Sequence, residues 1–233
     1  MSVYQPGVLY PLSEGIWLAE HEMKLVGIPF RTRMYLVQLP DGDLVMHSPI
    51  PPNHGLTEAV WKLGTPNWRI APNLHHHLFQ TPWQELCATS RLLAPKGLEK
   101  KRPDLRIDGT LPQDVPPQWA GVLEAFPILG NPVMKESVFL HRPSRSLILT
   151  DLAMSTAPGD HWILRLYGRL NGLHGKLGVS HMLRRFYKDW AAARASLDAI
   201  LDQDFTRVLT THGPLIENGG KDALAAAFSW LKP

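Results

Sequence analysis

Short apolar runs, each closed by polar or turn-forming residues, dominate the first half of the chain and predict strands at 15–19, 33–38 and 44–46. The last two flank Pro40-Asp41-Gly42-Asp43, where Gly42 can take the positive φ of a tight turn, so the pair reads as a hairpin. The pattern then predicts a helix at 56–63, a strand at 68–71 and a helix at 82–90 with Pro82 in its first turn. The polar, proline-rich stretch 94–120 carries no periodicity that assigns it. Strands follow at 122–128, 137–140 and 146–149, the last two joined by a hairpin-sized turn. From about 160 the pattern becomes helical. Leu183, Phe186, Trp190, Ala193, Leu197 and Ile200 alternate spacings of 3 and 4, which predicts one amphipathic helix. A strand at 207–210 and a helix bearing Leu224, Phe228 and Leu231 close the chain. Strands first and helices interleaved later imply sheets covered on their outer faces. That is an α/β or α+β fold, and with no linker to divide it, one domain over 1–233.

Composition narrows the partners. With 24 Lys+Arg against 21 Asp+Glu in 233 residues, the net charge of +3 is too small to point to nucleic acid. No aromatic–basic cluster adds such a signal. The opening MSVYQPGVLYPL lacks the layout of a secretion signal, and no apolar run approaches the roughly 18 residues of a membrane span, so no membrane partner is expected. The single cysteine, Cys87, excludes an internal disulfide framework and makes the cytoplasm the default; its apolar helical setting suits a small core residue.

The candidate chemistry lies where the strands end. The run 44–46 leads into His47, 68–71 into Asn73 and His75-His76-His77, 146–149 into Asp151, and 207–210 into His212. Layered α/β proteins gather ligands beyond the carboxyl ends of strands, and imidazoles with a carboxylate from separate segments suit zinc, iron or manganese. If the histidine run is extended, His75 and His77 share one side and His76 faces away. Each group also has an ordinary structural role open to it: a solvated histidine loop, a capping Asp151, a structural His212. His141, His161, His174 and His181 read as structural or surface groups. The basic stretch from Lys96 to Arg106 is either a solvated face or an attractor of anionic substrate near a site mouth.

The order of elements resembles the metallo-β-lactamase superfamily over nearly the whole chain. Val208-Leu209-Thr210-Thr211-His212-Gly213 looks like its last strand and (G/T)HG loop, where the histidine is a metal ligand. Leu147-Ile148-Leu149-Thr150-Asp151 looks like the strand ending in a metal-bridging carboxylate. The HxHxDH signature would fall at the histidine run. Counting from the strand end places Asn73 at its first histidine, His75 at its second and His77 at its aspartate; starting at His75 leaves Phe79 and Gln80 at the aspartate and histidine. The motif is intact in neither register. Asn131 to Glu136 replaces the GHT histidine, leaving Glu136 as a possible carboxylate ligand, and His47-Ser48-Pro49 replaces Asp-Thr-Gly.

The resemblance implies an αββα sandwich and one or two divalent ions, zinc or iron, held by His75, His76 or His77 with Glu136, Asp151 and His212. The implied chemistry is a metal-activated water attacking an ester, thioester, amide or phosphoester of a small molecule. The alternatives are non-haem iron redox chemistry on the same scaffold, or a non-catalytic binding protein.

Overall fold

Strand β4 (Asp43–His47) sets the architecture. Leu44 and Met46 point to one face of its sheet, Val45 and His47 to the other, and all four are buried. A strand buried on both faces needs a covering layer on each side. On one side, Leu56 and Val60 of α1 (His54–Leu63) and Trp83 of α2 (Gln80–Leu86) pack on Leu44 and Met46. On the other lies a second sheet. There Phe139 of β9 (Ser137–His141), Ile148 of β10 (Ser146–Leu149) and Leu209 of β11 (Arg207–Thr210) share a core with Val45. The far face of this second sheet, with Val138, Leu140, Leu147 and Val208, is covered by α6 (Trp190–Leu201) and α7 (Gly220–Ala227).

The structure, a computed structural model, describes residues 4–25 and 27–232. Residues 1–3 of the N-terminal stretch considered above as a possible signal lie outside that range. The first sheet runs in chain order: β1 (Leu9–Ser13), β2 (Ile16–Leu25), β3 (Ile28–Gln38), β4, β5 (Thr65–Ile70), β6 (Arg91–Pro95) and β7 (Gly109–Leu111). It is antiparallel as far as β4 and parallel from β4 to β7, and α1 and α2 form the first two of the three crossovers that these parallel neighbours require. The second is ordered β11-β10-β9-β8, where β8 is Leu123–Pro127 and β10 and β11 are parallel. The result is the αββα sandwich. No helix among the described residues is long and apolar enough to cross a membrane.

Two stretches differ from the pattern-based expectation. The stripe from Leu183 to Ile200 is not one helix: α5 (His181–Arg184) stops, and α6 restarts at Trp190. The carbonyl of Gly130 accepts from the amides of Lys188 and Asp189, and the Asp189 carboxylate caps the amide of Ala192, so the backbone between is committed elsewhere. The unassigned stretch 94–120 holds the end of β6, α3 (Leu98–Lys101), β7 and a single 3-10 turn at Pro117–Trp119. These pieces are too short to show a period.

His141 closes β9 almost fully buried, its Nδ1 hydrogen-bonded to Ser144 Oγ at 2.7 Å. Burial, then the nearby Arg207, lowers its pKa to about 4. The unfolded chain therefore takes up this proton first as pH falls, and the stability tied to the neutral ring is lost between about pH 6.5 and 4. We expect His141→Gln to remove about 2 kcal/mol of the stability difference between pH 7 and pH 5 in urea unfolding. Parallel pH profiles for the two proteins would contradict this.

Candidate metal centre

Three side chains from three loops converge at one edge of the sandwich. His76 follows β5, Asp151 lies two residues beyond β10, and His212 lies two beyond β11. His76 Nε2 is 3.0 Å from His212 Nε2 and 3.4 Å from Asp151 Oδ2; His212 Nε2 is 3.5 Å from Asp151 Oδ1. Both imidazoles are nearly buried, and the carboxylate is one-fifth exposed. Donors about 2.0–2.1 Å from one tetrahedral ion stand about 3.3 Å apart, and here each histidine meets a different oxygen of Asp151, so the carboxylate can turn either oxygen to an ion shared with both rings. Among the described residues this is the one such cluster.

The outer contacts aim these atoms. His212 Nδ1 lies 2.7 Å from the carbonyl of Arg31, which can only accept, so Nδ1 carries a proton and neutral His212 presents a lone pair at Nε2. His76 Nδ1 meets Ser48 Oγ at 2.7 Å; Ser48 holds a φ of 51°, a costly conformation for a non-glycine residue. Two ring nitrogens 3.0 Å apart must share a proton or a cation. The Asp151 carboxyl, although desolvated, is held well below the usual carboxylate range by His76 and His212.

Beneath the cluster, Asn73 joins two segments. Its carbonyl oxygen accepts from the amides of His75 and His76, each at 2.8 Å. Its Nδ2 faces Asp151 Oδ2 at 2.8 Å, Thr150 Oγ1 at 2.9 Å and Glu136 Oε2 at 3.0 Å. Glu136 in turn accepts from the amides of Thr150 at 2.8 Å and Asp151 at 2.9 Å. Burial and the neighbouring Asp151 charge raise its pKa.

The sequence-derived candidates are thus divided. His76, Asp151 and His212 meet, while Glu136 braces the strand end from below with both oxygens engaged. His75 stands exposed, outside the cluster. His77 turns away: it is buried, with its Nδ1 and its carbonyl both taking hydrogen bonds from Arg102, at 2.9 and 3.0 Å. The expected alternation, with His76 facing away, does not occur, because 73–79 is a turn organised by Asn73 and not a strand. His47 is buried between the rings of Tyr35 and Phe139, neither ring nitrogen has a hydrogen-bond partner, and burial, then His76, lowers its pKa to about 3.

The β2–β3 hairpin holds the His212 loop from the other side. Phe30 stacks on His212 with centroids 4.3 Å apart. Arg33, paired with Glu20 at 2.6 Å, donates to the carbonyls of Thr210 and Gly213. Gly213 has a φ of 94°, and a Cβ there would meet the Ser155 carbonyl oxygen at 2.3 Å, so this loop turn requires glycine. A hollow of about 300 Å³ adjoins His212, bordered by Phe30, Thr156 and Leu164. A second, of about 900 Å³, borders Glu136 and carries Lys96, Lys135 and Lys188.

No known family's sequence profile matches the chain, and no curated protein sequence does. Solved structures do match its fold. The FIM-1 metallo-β-lactamase of Pseudomonas aeruginosa, in its mono-zinc form, is similar with a TM-score of 0.65 at 10% identity, over 99% of this chain and 98% of that one. A metallo-β-lactamase from Pontibacter korlensis is similar at 0.63 and 12% identity, over 96% and 97%. The metal-soaked flavodiiron core of Flv1 from Synechocystis is similar at 0.66 and 14% identity, over 98% of this chain and 61% of that one. The chain has the metallo-β-lactamase fold. At such identities the likeness carries the fold alone, and the chemistry must come from the residues.

Asn73 gives the centre a direct test. Asn73→Ala strips donors from two carboxylates and an acceptor from two amides, and we expect a loss of about 2–4 kcal/mol in chemical unfolding. Asn73→Asp sets a third carboxylate against Glu136 and Asp151, so its loss at neutral pH should be larger. A cost under about 0.5 kcal/mol for the alanine variant would show that the network bears no weight.

Proposed function

We propose that the protein is a metal-dependent hydrolase-like member of the metallo-β-lactamase superfamily, acting in the cytoplasm on an ester, thioester, amide or phosphoester of a small molecule. The observation that carries this reading is the convergence of His76 Nε2, His212 Nε2 and Asp151 at 3.0–3.5 Å, with His212 held in the tautomer a ligand needs. These three residues would hold one divalent ion. When bound, such an ion acidifies water and polarises a scissile carbonyl or phosphoryl oxygen. The chain's own part is positional. Asn73 and Glu136 fix Asp151, Ser48 and the Arg31 carbonyl set the two rings, and Phe30 shields His212 from water. Lys96, Lys135 and Lys188 favour a substrate with an anionic group.

Two histidines and one carboxylate are also the donor set of non-haem iron sites with open positions. The second reading, iron-dependent redox chemistry, rests on that composition. The metal separates the two: zinc supports hydrolysis, whereas iron with an oxygen-dependent spectral change supports redox chemistry.

Elemental analysis of untagged protein prepared without chelators should find about one equivalent of zinc or iron per chain. His212→Ala should lower it at least tenfold without unfolding the protein. Full occupancy in that variant would remove His212 from the site, and a chain that takes up no added metal would leave a non-catalytic binding protein.

A further inference from the structure

Helix α4 (Trp162–Leu170) meets the fold along a narrow face. Gly168 lies so close to Thr156 that a Cβ would sit 1.9 Å from Thr156 Oγ1, and Leu164, one turn earlier, borders the hollow beside His212. The opposite face carries Trp162, Leu166 and Leu170 at i, i+4 and i+8, with exposures of 60%, 46% and 70%. Elsewhere, Trp61 and Leu86 are the lone exposed large apolar side chains of α1 and α2, which is ordinary. A three-residue stripe on the outside of one helix is not. Met182 of α5 is also exposed, and the amide of its neighbour His181 donates to Asn171 at the end of α4.

Charge says what covers this stripe. Arg165 and Arg169 flank it along one side of the helix. Between 161 and 188 there are six lysines and arginines and no aspartate or glutamate, whereas the rest of the chain, with 18 basic and 21 acidic residues, is net acidic. A second copy of the chain docked stripe to stripe would bring these arginines together with no carboxylate from this segment to answer them. Apolar residues including tryptophan, bordered by Arg165 and Arg169, match the interface of an anionic lipid layer.

We propose that α4 lies on an anionic lipid surface, seating Trp162, Leu166 and Leu170 among the lipids, with the hollow beside His212 behind the helix. The missing apolar run of spanning length bears on a crossing helix, not on one lying in the interface. Taken with the hydrolytic reading, on which this step alone rests, the substrate class is an ester or phosphoester of an amphiphile. Its apolar part would occupy the hollow bordered by Phe30 and Leu164.

The test is co-sedimentation of the full chain with phosphatidylcholine vesicles, with and without phosphatidylglycerol, at low and high salt. The protein should bind the anionic vesicles, and salt should weaken binding. Trp162→Ser/Leu166→Ser/Leu170→Ser should reduce partitioning at least tenfold. Arg165→Gln/Arg169→Gln, which keeps Trp162, Leu166 and Leu170, should reduce it roughly twentyfold. Urea midpoints of both variants should match the parent. No binding by the parent, or equal binding by both variants, would overturn the proposal. So would a dimer, seen by sedimentation equilibrium, that the triple substitution dissociates while vesicles go unbound. His212→Ala should bind vesicles like the parent, so loss of metal and loss of docking are separately visible.

Discussion

The candidate centre depends on one buried amide. Asn73 faces two backbone donors with its oxygen and two carboxylates with its nitrogen, so its orientation is dictated by the partners. It joins the turn that carries His76 to the strand end that carries Asp151. Glu136 doubles the connection by accepting the amides of Thr150 and Asp151. Glu136, buried, and Asp151, partly buried, repel each other side by side, and each is tolerated because neighbouring donors and histidines compensate it. A cation among His76, Asp151 and His212 would add to that compensation.

The third donor comes from the opposite direction. The His212 loop leaves the second sheet, yet its aim is set by the first, through the Arg31 carbonyl, the Phe30 ring and the buried Arg33–Glu20 pair. The sandwich thus does more than bury apolar surface. It brings a loop of one sheet under the hydrogen-bonding control of a hairpin in the other. Ser48 shows the local cost, holding a positive φ where its hydroxyl meets His76.

Much of this was legible in the sequence. Strands β2 to β5 and β8 to β11 announced themselves by apolar runs, whereas β6, whose run follows directly on a stretch that reads as helix, did not; Asp151 and His212 stood out because each lies two residues past such a run. Resemblance at Thr211-His212-Gly213 and Leu147 to Asp151 pointed to the sandwich. What could not be read was which member of the triplet turns inward. That depends on Asn73, whose other partner, Glu136, lies 63 residues away in sequence. Nor could periodicity find the break before α6, since apolar spacing runs on across 185–189 while the Gly130 carbonyl takes the amides there. Strand β7, three residues long, and β1, interrupted by Pro11, carry too little pattern to register.

The central claim is that His76, Asp151 and His212 form one coordination shell. Anomalous diffraction from a crystal of the metal-loaded protein, collected at the absorption edge of zinc or iron, tests it most directly. The account predicts a single strong peak about 2 Å from His76 Nε2, His212 Nε2 and an Asp151 oxygen, with Glu136 and His77 outside bonding distance. No peak there, or one bound by His75 or His77 in place of His76, would contradict it.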